Sequence, residues 1–101
     1  MADLDEIARY RAAQRGLDDA DALLDSMLER IATLERFPHR GSIPSELDGL
    51  GGSGVRQIVH ANYRILYEVE ASTVSVILVA DGRRDVETLL HGRMLNRGSR
   101  G

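Results

Sequence analysis

The sequence predicts an α+β domain: an N-terminal antiparallel helix hairpin packed on a small antiparallel β-meander, with a short C-terminal helix. Three patterns carry that prediction. Before Pro38, apolar residues recur at i, i+3 and i+4 in two stretches parted by Gly16, the spacing of one helical face. From Tyr63 the chain alternates, with Tyr63, Ile65, Tyr67 and Val69 set against Asn62, Arg64, Leu66, Glu68 and Glu70, which is the two-residue period of a strand. Asp81-Gly82 then stops a second apolar run, and a helical pattern follows.

In chain order, Asp3 reads as the N-cap of the first helix, with Glu6 three positions later and Leu4, Ile7, Ala8, Arg11 and Ala12 along one face. Gly16 ends that helix near Arg15, and Asp18 opens the second. Its stripe is Ala20, Leu23, Leu24, Met27, Leu28, Ile31 and Leu34, and it closes at Phe37-Pro38. So short a connection predicts a hairpin that turns its joint apolar face to a sheet. Residues 38–54 are rich in turn formers and lack a period, so they read as a surface loop pinned by Ile43, Leu47 and Leu50. Residues 55–60 form the first strand, and Ala61-Asn62 leads into the second. Glu70-Ala71-Ser72 turns the chain into residues 74–79, an almost unbroken β-branched and aliphatic run that predicts the central strand. Asp85 caps the last helix, which buries Val86, Leu89, Leu90 and Met94 and sets Arg93 at the C-terminal end of its dipole. Residues 96–101 contain no apolar side chain and read as a tail after a single domain spanning 1–95.

At 101 residues and 11.1 kDa the chain has room for one modest core. It has no cysteine, which excludes a disulfide framework and a thiolate metal site. No window reaches the length of a membrane span, and the acidic start Met-Ala-Asp-Leu-Asp-Glu is unlike a signal peptide, so a cytoplasmic location is expected. The charge is divided: residues 1–50 hold 11 acids and 6 arginines (net −5), whereas residues 51–101 hold 5 acids and 7 arginines (net +2). All 13 basic residues are arginine, through genomic composition or for their planar forks, and no lysine is present to act as a base. His39, His60 and His91 form no pair with metal-ligand spacing and a supporting carboxylate, so neither metal nor cofactor is expected. The glycines of residues 49–54 neither follow a strand nor open a helix, which excludes a phosphate-binding loop.

Four segments stand in a telling order: Leu34-Glu35-Arg36-Phe37-Pro38-His39-Arg40-Gly41, Pro44-Ser45-Glu46-Leu47, Asn62-Tyr63-Arg64-Ile65-Leu66-Tyr67-Glu68-Val69 and Asp81-Gly82-Arg83-Arg84-Asp85-Val86-Glu87-Thr88-Leu89-Leu90. In this order the chain resembles the RelE/ParE superfamily of toxins from bacterial type II toxin–antitoxin modules, the plasmid stabilisation family. The resemblance implies a small α+β toxin that arrests growth by cutting mRNA on the ribosome or by poisoning DNA gyrase. It also implies a cognate antitoxin that neutralises the toxin in a hetero-oligomer. The family's first strand is missing, since Met1 already stands at the first helix; an internal start, or pairing with another chain such as a homodimer partner, would account for that.

For the nuclease branch, the resemblance matches Arg64 to the arginine beside the scissile phosphate and Arg84 or Arg83 to the one after the last strand, both offsetting charge on the phosphorane. Only His60, His91 and Glu68 remain as acid and base of a metal-independent mRNA endoribonuclease. Arg56, Arg83 and Arg93 are candidates for holding substrate or antitoxin. Structural roles compete with each of these: a bond from Arg64 to Glu68 or to a facing residue of the first strand, neutralisation of Arg83 and Arg84 by Asp81 and Asp85, and core packing of Tyr63 and Tyr67. The missing lysines and the pI of 5.5 weigh against RNA binding, which leans on basic residues. They leave gyrase binding open, and beside it a binding module without toxicity.

Overall fold

A computed structural model of the chain describes residues 2–45, 54–82 and 85–99. They fall into two compact units, Met1–Phe37 and Pro38–Gly101.

The first unit is a helix pair, α1 (Ala2–Arg15) and α2 (Leu17–Ala32), joined by Gly16 alone. One residue suffices because Gly16 takes a φ of 95°, a left-handed value that glycine adopts at no steric cost. Its N–H closes α1 on the Ala12 carbonyl at 2.9 Å, and its carbonyl receives the Ala20 N–H at 3.2 Å as α2 begins. An Arg11–Asp19 ion pair crosses the turn. Both helices start earlier than their carboxylates suggested. Asp3 therefore lies inside the first turn of α1, and Asp18 and Asp19 lie inside that of α2, where they complement the helix dipole; the α2 N-cap position, Gly16, carries no side-chain cap bond. Ala20, Leu23, Met27 and Leu34 of the predicted stripe are buried, whereas Leu28 points outward at 46% exposure. The α-helix stops at Ala32, short of Phe37, and tightens into a 3₁₀ turn over Thr33–Glu35. The Thr33 hydroxyl donates to the Arg30 carbonyl at 2.6 Å, a local bond that competes with continued α-helix.

The second unit contains β1 (Val55–His60), β2 (Tyr63–Glu70) and β3 (Thr73–Asp81), antiparallel in the order β1-β2-β3, followed by α3 (Val86–Ser99). The central strand is thus β2, and the apolar run predicted for that place is at the end of the row. Two consecutive hairpins with two-residue links can only leave the middle strand in the middle. The apolarity of β3 has another cause, because α3 lies on it. Val55, Leu66, Leu78 and Ala80 from one face of the sheet pack with Val86 and Leu90 of α3, with Ile77 and Leu89 at the margin. On the opposite face Ile58, Ile65, Tyr67 and Val79 are buried as well. Asp85 caps α3 as the sequence predicts: its carboxylate accepts the Thr88 N–H at 3.2 Å and the Thr88 hydroxyl at 2.8 Å. Residues 96–99, expected in the tail, continue α3. Among the described residues no helix is long and apolar enough to cross a membrane.

Candidate functional site

The end of the sheet nearest the first hairpin holds two of the described candidates, His60 and Arg64. Ala61 and Asn62 turn the chain with φ of 50° and 70°, setting His60 opposite Tyr63 and Val59 opposite Arg64. The strand after Ala80 is tied to the same turn by a bond from the Gly82 N–H to the Asn62 carbonyl at 2.9 Å. Arg83 and Arg84 follow at once in the chain but lie outside the described residues, as does the side chain of His91 on α3.

Arg64 stands on the central strand between Val59 and Ala80, half-buried, on the face that α3 covers further along. Its Nε donates to the Gln57 Oε1 at 2.7 Å, a diagonal bond that fixes the plane of the guanidinium. This is a facing residue of the first strand, one of the structural partners the sequence allowed. Glu68 shares that face, opposite Val55. His60 does not, because alternation turns it to the other face with Tyr63 and Asp81. His60 on one side of the sheet and the Arg64 guanidinium on the other do not meet at one phosphate, which leaves Glu68 as the described acid–base candidate on the Arg64 face.

The other two described arginine candidates work on the backbone. Arg56, on the His60 face, donates through Nη1 to the Gly41 carbonyl at 2.8 Å and the His39 carbonyl at 3.4 Å. Arg93 reaches from α3 to the Ile77 carbonyl at 2.7 Å. That carbonyl needs a partner because the ladder slips there: Leu66 faces Leu78 but Tyr67 faces Val76, which leaves Ile77 as the extra residue of a β-bulge. Arg56 therefore satisfies loop carbonyls, and Arg93 one that the bulge leaves over.

Sequence reasoning passed over Gln57 and Gly41. The Tyr67 ring is core, as predicted, but its hydroxyl accepts the Gly41 N–H at 3.0 Å and so holds the loop after Pro38. Ser42 and Gln57 exchange both backbone bonds, at 3.0 and 2.8 Å, laying the same loop along β1. The glycine in Phe37-Pro38-His39-Arg40-Gly41 was the available signal.

A search of curated proteins finds no match to the chain. A family model does match, that of the ParE toxin of type II toxin–antitoxin system, parDE, over residues 1–86, which takes in the helix pair, the loop, all three strands and the capped start of α3. With that span matched, the chain belongs to the ParE toxin family of type II toxin–antitoxin systems.

Proposed function

We propose that this toxin arrests growth by binding DNA gyrase, a protein–protein mechanism without chemistry of its own, and that an antitoxin encoded beside it neutralises it. The observation that carries the choice of target is the separation of His60 and Arg64 on opposite faces of the sheet. Arg56 and Arg93 are engaged on backbone carbonyls, and the chain has no lysine, so among the described candidates only Arg64 and Glu68 share a face from which to assemble a base and a phosphate clamp. The match over residues 1–86 crosses both structural units, which supports reading residues 1–95 as one working domain. A second reading, the mRNA endoribonuclease, draws on the fixed guanidinium of Arg64.

Supercoiling by purified gyrase in the presence of the toxin, beside primer extension on translated mRNA from induced cells, separates the two. The expected result is blocked supercoiling with no new cleavage ends. Arg64→Ala and His60→Ala should both keep growth arrest if they fold. Cleavage ends that vanish in Arg64→Ala would replace this reading with the nuclease, and unaltered growth on induction of the toxin alone would remove both.

A further inference from the structure

We infer that the outward side of α2 is a docking surface for an amphipathic helix of a partner protein, one with a cationic flank; this is independent of the gyrase reading above.

α2 carries two apolar stripes, and only one of them is buried. Ala20, Leu23 and Met27 belong to the buried stripe, which Leu34 continues past the helix end. Leu17, Leu24, Leu28 and Ile31 follow at spacings of seven, four and three residues, which sets them in a line along the neighbouring face. Leu24 and Ile31 are half-buried, whereas Leu28 is 46% and Leu17 72% exposed. Exposed leucines scattered singly are ordinary. Four aliphatic side chains aligned over about 21 Å form a seam that a second helix of about four turns would cover.

Beside the seam runs a row of carboxylates. Asp18, Asp21, Asp25 and Glu29 follow at spacings of three, four and four residues; all are exposed, and among the described residues none makes an ion pair. Arg30, the one base of α2, stands one residue from Glu29 and five from Asp25, off the row. The helix dipole balances Asp18, but Asp21, Asp25 and Glu29, each four residues from the next, repel one another and weaken the helix in the free chain. Cations that a partner sets along the same margin turn that repulsion into attraction. An antiparallel second copy would instead bring its own carboxylates to the same edge. The occupant we assign is therefore a helix with an aliphatic stripe and with arginine or lysine along one flank.

The test uses the full-length toxin and three labelled synthetic peptides, followed by fluorescence anisotropy at physiological salt. One is a helix-forming peptide with a leucine stripe and an arginine flank, the second replaces its arginines with glutamate, and the third scrambles the first so that its stripe is lost. The arginine peptide should bind at least about tenfold more tightly than either of the others. Leu28→Gln should weaken that binding about tenfold, the size of one lost aliphatic contact, with melting unchanged because Leu28 is exposed. Asp21→Lys combined with Asp25→Lys should reverse the preference toward the glutamate peptide and melt no lower than the wild type. Equal binding of the arginine peptide and its scramble overturns the inference by reducing it to charge attraction. Undiminished binding to a folded Leu28→Gln overturns it as well. So does a toxin dimer in sedimentation that Leu28→Gln dissociates, because the seam is then covered by a second copy.

Discussion

Gly41 is the residue on which the loop geometry turns. A methyl group there would meet the Gln57 carbonyl oxygen at 2.4 Å and the Tyr67 hydroxyl at 2.7 Å, and neither belongs to a side chain that can swing aside. Gly41→Ala should lower stability by about 2–3 kcal/mol, read as a fall in the urea midpoint at constant slope. Gly92 makes the contrast: it lies exposed within α3 with open space around it, so Gly92→Ala should raise stability by about 0.5–1 kcal/mol. Equal responses at the two glycines would contradict the cradle. Tyr67→Phe probes the same site from the other side, since it keeps the packed ring and strands a buried N–H at a cost of about 1–3 kcal/mol. The sequence showed a turn-rich stretch at this point, but the groups that make glycine obligatory belong to Gln57 and, 26 residues away, Tyr67, beyond the reach of any local pattern. Arg64 was legible as a fixed guanidinium, whereas Gln57, which fixes it, offered no signal of its own.

Among the elements, the period-two alternation of β2 and the i, i+3, i+4 stripe of α2 were readable because burial on one face leaves a regular mark. The place of β3 was not. An aliphatic run reads the same whether two strands flank it or a helix roofs it, and here α3 supplies the roof over Leu78 and Ala80. The turn at Glu70-Ala71-Ser72 is where the sequence put it, but its backbone was not legible, for Ala61 and Ala71 hold φ of 50° and 54°, where an L side chain costs about 1–2 kcal/mol. Part of that is recoverable: Ala71→Gly should stabilise the second hairpin by about 0.5 kcal/mol after the extra freedom glycine gives the unfolded chain. A melting temperature that falls instead would mean Ala71 makes contacts worth more than its strain. Capping is the corresponding test for α3. Asp85→Ala should cost about 1 kcal/mol, and in a double-mutant cycle with Thr88→Ala the losses should not add, because one pair of bonds serves both residues.

For the whole molecule, the distribution of charge decides more than any one side chain. The net charge is −3, with the acids gathered in residues 1–50 and the modest excess of arginine in the half that forms the sheet. Affinity for RNA grows with the number of phosphates neutralised and the counterions released, and it carries a steep salt dependence in proportion to that number. Arg56 and Arg93, two of the seven arginines in residues 51–101, are already bonded to carbonyls of the fold, which reduces the set able to meet a phosphate backbone. The purified toxin should therefore bind a short labelled RNA more weakly than about 100 µM at physiological salt, with a shallow slope of affinity against salt. Fluorescence anisotropy across a salt series measures both quantities at once. Binding tighter than about 10 µM that collapses as salt rises would show a phosphate-tracking surface, and growth arrest would then have to be traced to RNA. Weak and flat binding, alongside inhibited supercoiling, is what a toxin that recognises a folded protein should give, because a protein interface is apolar at its centre and releases few counterions.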